Sequence, residues 1–336
     1  MSASTAGPMS LKRMAGPRTP HSAAHVADGL PERPPQAESL PRFRRGFSGA
    51  WLLAGILLAS PAFAQDSAVF RSGVSLVRVD AEVSRSGGDI VTDLRQSDFR
   101  ITENGREQKL VNFSFEEDPL DVILLFDTGG DVKGKIHTII RSVELGFHEL
   151  RPKDRADVML FAGYTAEVQP FTSNFSDVND AILLKVLKQN FGGPSKVALA
   201  ADDAAKRFRT EPHSQRRRAV LIVTGKTAGH GAEDAKAVRD LWQSDAVASE
   251  LIPGGSAGSE DAIVEQTGGS AIAAGTDPGA AFQESLRRLR RRYSLYYVLP
   301  EGAAGSERHI KVELTPEAMQ SHPGAKVFAR RGYVAP

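Results

Sequence analysis

The stretch Pro119-Leu120-Asp121-Val122-Ile123-Leu124-Leu125-Phe126-Asp127-Thr128-Gly129-Gly130-Asp131 constrains the fold more than any other part of the chain. A short apolar run ends in an acid and two glycines, and a helical period starts a few residues later. A run of this length bounded by turn residues suits a strand buried on both faces, as parallel strands are. In open α/β sheets, ligands bind in the crevice at the carboxyl ends of such strands. Asp127 through Asp131 is therefore where function is expected.

The chain downstream alternates strand and helix patterns. Ile136, Ile139, Ile140, Val143, Phe147 and Leu150 recur at helical spacing and predict one helix, stopped by Arg151-Pro152. Ala156–Phe161 reads as a second strand. Glu167–Phe171 reads as an edge strand, because Pro170 cannot donate to a ladder. Ser176 and Asp177 are candidate caps for a helix carrying Ile182, Leu183, Val186 and Leu187. Val197 to Phe208 is amphipathic, Arg218 to Gly225 is a central strand, and Ala248–Ile252 is a weaker one. Helices are expected near Glu233–Trp242 and over Pro278–Arg292. This alternation predicts an α/β fold with a Rossmann-like, doubly wound, mostly parallel sheet.

Both flanks read as β structure. Val77, Val79, Ala81 and Val83 alternate with Arg78, Asp80 and Glu82, and Ser86-Gly87-Gly88-Asp89 is a turn. Asn104-Gly105 marks a hairpin between Phe99–Thr102 and a return strand at Leu110–Phe115. Tyr293–Leu299, His309–Leu314 and Lys326–Tyr333 are three further strands. The N-terminal β unit is too small for a core of its own. The two β segments are therefore expected to pair with each other, as a small β-sandwich, across the α/β insertion. The expected boundaries are 65–118 for the first β unit, 119–299 for the α/β domain and 300–336 for the closing segment.

The start of the chain reads as a leader. Residues 1–41 are rich in Pro, Ala, Ser and Gly without apolar period, a composition that predicts disorder. Arg42-Phe43-Arg44-Arg45, an apolar run from Ala50 to Ala59 and Ala62-Phe63-Ala64 follow, the layout of a secretory signal over 42–64. Cleavage is expected between Ala64 and Gln65, leaving no stable transmembrane span; an uncleaved anchor is the alternative. Arg44-Arg45-Gly46-Phe47 also has the form of a twin-arginine export signal, and the long polar preface leaves a start downstream of Met1 open. Export to the periplasm, the outer surface or the medium follows.

The formal net charge of +1 conceals an asymmetry. The first 64 residues hold seven Lys/Arg and three Asp/Glu, leaving 35 basic and 38 acidic residues in the rest. A mature chain near −3 gives no reason to expect nucleic acid as a partner. The absence of cysteine excludes disulfides, thiolate metal sites and cysteine nucleophiles.

On these residues the chain resembles von Willebrand factor type A domain proteins, and specifically the VWFA-related proteins of acidobacteria. Asp127-Thr128-Gly129-Gly130-Asp131 stands where that family carries a D-x-S-x-S loop. Asp98-Phe99, Glu103-Asn104-Gly105 and the closing Ala329-Arg330-Arg331-Gly332-Tyr333 extend the match over roughly Phe70 to Pro336. The resemblance implies a divalent cation, usually Mg²⁺, held by oxygen ligands and offered to an acidic group of a partner protein. The ligand pattern departs from the family. Asp127 is kept, but Gly129 and Asp131 replace the two serines. Gly192-Gly193-Pro194-Ser195 lacks the threonine, and Thr224-Gly225-Lys226 lacks the second acid. Lys226 adds positive charge at the same mouth. The expectation is a degenerate site without a cofactor, in which Asp127 caps the helix or accepts from backbone amides. A rearranged site of Asp127, Asp131 and Ser195, with Ser195 or Thr224 lending hydroxyls, is the cation-dependent alternative.

Nothing else forms a catalytic set. Gly225-Lys226-Thr227 lacks the upstream glycine of a phosphate loop, His148-Glu149 lacks the second histidine of a zinc helix, and no G-x-S-x-G occurs. The run Arg287, Arg288, Arg290, Arg291 and Arg292 reads as a solvated helix face around Leu286 and Leu289, or else as a docking surface for an acidic partner or membrane. Gly254 to Ser259 reads as a flexible loop. The function expected is an exported, non-enzymatic interaction protein with a protein partner of unknown identity. An α/β enzyme using the same crevice is a further alternative.

Overall fold

The computed structural model describes residues 75–86, 88–129, 133–140, 143–186, 188–189, 191–212, 215–225, 231–254 and 261–336. All lie in one unit, Val69–Pro336. The leader with Ala64 and Gln65, and also Gly130, Asp131, Lys226 and most of the Gly254–Ser259 loop, lie outside the described residues.

Four strands precede the α/β region: β1 (Leu76–Ser84), β2 (Phe99–Glu103), β3 (Arg106–Gln108) and β4 (Leu110–Phe115). Asn104 and Gly105 take the positive φ values the expected hairpin needs, +47° and +78°. The return strand of that hairpin is β3, with Glu103 opposite Arg106. Leu110–Phe115, expected in that role, crosses to a different sheet.

The central region begins with β5 (Leu120–Asp127), wholly buried as its composition requires. The single helix expected over Ile136–Leu150 is two, α1 (Lys133–Ile140) and α2 (Val143–Phe147). Then come β6 (Arg155–Phe161), β7 (Thr165–Thr172) and α3 (Phe175–Ala181), which continues into a π-helical turn over Ile182–Val186. Its N-cap is Asn174, whose side chain accepts from Ser176 N, so neither Ser176 nor Asp177 is the cap. The remainder is α4 (Val197–Thr210), β8 (Arg217–Val223), α5 (Ala232–Gln243), β9 (Ala246–Ile252), α6 (Ala262–Thr267), β10 (Ala271–Ala273) and α7 (Pro278–Arg290). The short α6 and β10 carry too little period to be read from sequence.

The six strands lie in the order β10-β9-β8-β5-β6-β7. All neighbours are parallel except β6 and β7, and β7 is the edge strand that tolerates Pro170. Winding runs outward in opposite directions from β5 and β8, so the switch point lies between those two strands. On one face Val122, Leu124, Phe126, Ala219, Leu221 and Val223 pack on Ile139, Val143, Phe282 and Leu286 of α1, α2 and α7. On the other, Ile123, Leu125, Val220 and Ile222 pack on Ala201, Phe208, Leu241 and Ile263 of α4, α5 and α6. The expected doubly wound α/β architecture is present.

The chain closes with β11 (Tyr293–Val298), β12 (Glu307–Leu314), α8 (Pro316–Ser321), β13 (Lys326–Ala329) and β14 (Gly332–Val334). Two four-stranded antiparallel sheets result, β13-β1-β11-β4 and β14-β12-β2-β3, each mixing N- and C-terminal strands. Tyr293–Val298, inside the 119–299 range of the sequence reading, belongs to the first of them. Val79, Ile101, Tyr297 and Ile310 share one core between the sheets. Glu103 joins that core by accepting from Tyr297 OH (2.7 Å), Tyr333 OH (2.9 Å) and Arg308 Nη1 (2.7 Å). A buried carboxylate needs such donors to offset its desolvation.

The arginine run is neither a solvated face nor a docking surface. Arg290 and Arg292 are 3% and 1% exposed. Arg288 pairs with Glu82 of β1 at 3.0 Å, and Arg290 with Asp154 at 3.0 Å. Arg292 Nη2 donates to the carbonyls of Asp80 (3.3 Å), Gly268 (2.5 Å) and Phe328 (2.8 Å). Only Arg287 and Arg291 of the five project toward solvent, with side chains 40% and 43% exposed. The run is the seam between the α/β region and the β-sandwich.

Candidate functional site

The carboxyl ends of β5 and β8 bring Asp127 and Thr224 side by side, one register step beyond the Phe126–Val223 pair. Both side chains face the α4/α5 side of the sheet, because residues alternate along a strand. Asp127 is fully buried, and its carboxylate is occupied by protein donors. Oδ2 accepts from Thr224 Oγ1 at 2.6 Å, while Oδ1 accepts from Ser195 Oγ at 2.7 Å and from Gly129 N at 2.8 Å. Thr128 turns away, its N and Oγ1 donating to Phe161 O at 2.8 and 3.1 Å.

Ser195 arrives on the loop before α4. Gly192 and Gly193 both sit at positive φ, +63° and +80°, conformations glycine adopts without strain, and they fold the loop back over β5. Lys196 N donates to Ala162 O at 3.0 Å and fixes the loop against the end of β6. A side chain at position 129 has no room: a Cβ there would collide with Ser195 Oγ and lie 3.0 Å from Asp127 Oδ1. Ser195 Oγ thus occupies the space that a side chain at position 129 would need.

A hard divalent cation takes about six oxygen ligands, several of them anionic. Among the described residues the crevice offers one carboxylate and two hydroxyls, with both hydroxyls donating to that carboxylate. No group of three or more His, Asp or Glu able to hold a metal occurs among the described residues. These residues do not by themselves make a cation site. Gly225 follows Thr224 at the end of β8 and contributes no side chain. Asp131 and Lys226, the other residues singled out at this mouth, lie outside the described residues.

Three features escaped the sequence reading. Tyr164, 53% exposed and on the β6–β7 loop, packs against the half-buried Phe191 of the loop that carries Ser195, with ring centroids 4.4 Å apart and planes tilted by 39°. An aromatic next to a glycine pair was the available signal for Phe191. Glu250 lies on β9 opposite Ile222, on the same face as Asp127. It is 2% exposed, and its Oε2 has no hydrogen-bond partner. Burial, and secondly the Asp261 carboxylate, push its carboxyl up to about 8. Asp157, on β6, is pushed up to about 7 by burial and by Glu167, against the opposing pull of Arg207, to which it is bonded at 3.1 Å. Asp157 lies at the level of Ile123, well below the crevice.

Neither a family model nor a curated protein sequence matches the chain. Solved structures resemble it at low identity. An aerotolerance-related membrane protein from Bacteroides fragilis matches at 15% identity over 51% of this chain and 98% of its own, with a TM-score of 0.42. A von Willebrand factor type A protein from Catenulispora acidiphila matches at 11% over 79% of this chain and 75% of its own (TM-score 0.42). The manganese-loaded TRAP protein of Plasmodium vivax matches at 12% over 71% of this chain and all of its own (TM-score 0.44). No helix among the described residues is long and apolar enough to cross a membrane.

Proposed function

We propose that this chain is an exported, non-enzymatic protein-interaction module of the von Willebrand factor A type, whose crevice works without a bridging cation. The observation that carries this reading is the Asp127 carboxylate, which accepts from Ser195, Thr224 and Gly129 N and has no exposed surface. Three protein donors already occupy this carboxylate, which leaves it few free lone pairs for a metal. Partner contact falls instead to the rim, where Tyr164 and Phe191 offer an aromatic pair of the kind that anchors interfaces. The leader over Arg42–Ala64 supports export.

Isothermal titration of the mature chain with Mg²⁺ and Mn²⁺ tests the reading, and no saturable heat is expected. Tight binding that Asp127→Ala abolishes would overturn it in favour of the cation-dependent site of Asp127, Asp131 and Ser195. Partner capture from the native source is expected to survive EDTA and to weaken in Tyr164→Ala.

A further inference from the structure

Two sheet edges face each other far along the chain from the Asp127 crevice. β10 is the last strand of the central sheet and β13 the last of one sandwich sheet. Between them lies a groove of about 530 Å³. One wall is the consecutive run Gly268–Ala271 and the other is the whole of β13, Lys326 to Ala329. The walls are main chain as much as side chain.

The hydrogen-bond registers say which backbone groups point into the open. Glu250 N donates to Ser270 O, and Ala274 N donates to Ile252 O. In a parallel ladder the residues facing the neighbour alternate. The even residues of β10 therefore face β9, and Ala271 and Ala273 turn N–H and C=O outward. On the other wall, Leu299 N donates to Ser75 O, so the odd residues of β1 face β11. Glu82 and Ser84 then face β13 and pair with Phe328 and Lys326. Val327 and Ala329 point away from their own sheet. Ala329 is covered, since Gly268 abuts it so closely that any Cβ there would collide with it. Arg331 N also donates to Gln266 O at 2.9 Å, which closes that end. Val327 and Ala271 remain at the open end of the groove, with Ala273 continuing the β10 edge beyond it.

We propose that this groove takes an extended peptide segment of a partner protein by strand addition, with an acidic side chain set against Lys326. Unpaired edge groups are a template for a further strand. Neither edge carries a proline or a bulge, for β10 is Ala-Ile-Ala and β13 is Lys-Val-Phe-Ala; both are short, which limits the added segment to a few residues. The groove supplies the side-chain preference too. Val264 and Phe328 line it as apolar surface. Of the other charged groups in the lining, Arg331 is matched by Glu265, and Asp261 is buried with its carboxylate accepting from Ile263 N and Val264 N, which leaves the exposed Lys326 as the cation at the open end. Charge complementarity therefore selects an acidic segment. The site is independent of the crevice reading, and its test does not involve Asp127.

Fluorescence anisotropy on the mature chain tests this with three labelled hexapeptides of alternating valine and threonine. They carry aspartate, lysine or neither at the third position. Saturable binding is expected for the aspartate peptide, at least ten-fold tighter than for the lysine peptide. Lys326→Glu, an exposed change, is expected to reverse that order. Methylating the backbone nitrogens of alternate residues in the peptide is expected to weaken binding in either phase, because one phase faces β10 and the other faces β13. Ala271→Pro removes an outward N–H and is expected to weaken binding without changing the thermal melt. Absence of saturable binding by all three peptides overturns the proposal. So does binding that is unchanged by Lys326→Glu and by both methylation phases.

Discussion

Glu250→Gln isolates one buried carboxyl and asks what its burial does to stability. Glu250 is 2% exposed, its Oε2 lacks a partner, and its carboxyl titrates near 8 in the fold against an ordinary value of 4.5. The unfolded chain therefore releases this proton first as pH rises. Native stability is at full strength below about pH 4.5 and falls until the folded group ionises near pH 8. At about 1.4 kcal/mol per tenfold change in proton affinity, the loss between pH 5 and pH 9 amounts to roughly 4 kcal/mol. Glutamine keeps the shape and cannot ionise. At pH 5 the variant and the parent should differ by no more than about 1 kcal/mol, because both bury a neutral polar group without a partner. At pH 9 the variant should be the more stable by several kcal/mol. Urea unfolding at half-unit intervals from pH 5 to pH 9 measures the difference. Asp157, which titrates near 7, contributes its own fall over lower pH in both chains and cancels in the comparison. Parallel curves for parent and variant would refute the reasoning.

Gly129→Ser should destabilise by about 1–3 kcal/mol, since its Cβ meets Ser195 Oγ. Adding Ser195→Gly should recover most of that loss in thermal melts, and a harmless single variant would contradict the steric conflict argued for this pair. Arg292→Ala removes the donor shared by Asp80 O, Gly268 O and Phe328 O and should cost about 3–5 kcal/mol in urea unfolding. Tyr164→Ala, by contrast, should leave stability within about 0.5 kcal/mol, because the ring is half in solvent, while lowering partner capture.

Sequence and tertiary structure divided the work along a physical line. Where a pattern is local, the residues alone determined it. The apolar run of β5, the alternation in β1, the Asn104-Gly105 turn and the edge placement of Pro170 each follow from a period or a backbone preference within a few residues. The doubly wound sheet and the position of Asp127 at a strand end followed from those. What required distant residues to meet was decided only by the fold. Arg288, Arg290 and Arg292 look like a solvated stripe until Glu82 and Asp154 arrive from 206 and 136 positions away along the chain. The break between α1 and α2, and the partner of Leu110–Phe115, depend on packing that local propensity does not encode. At the crevice, the chain by itself located the acid at a strand end. The fold decided that Ser195 and Thr224 close upon Asp127, because a hydroxyl's role is set by where its acceptor lies, and that acceptor comes from another strand.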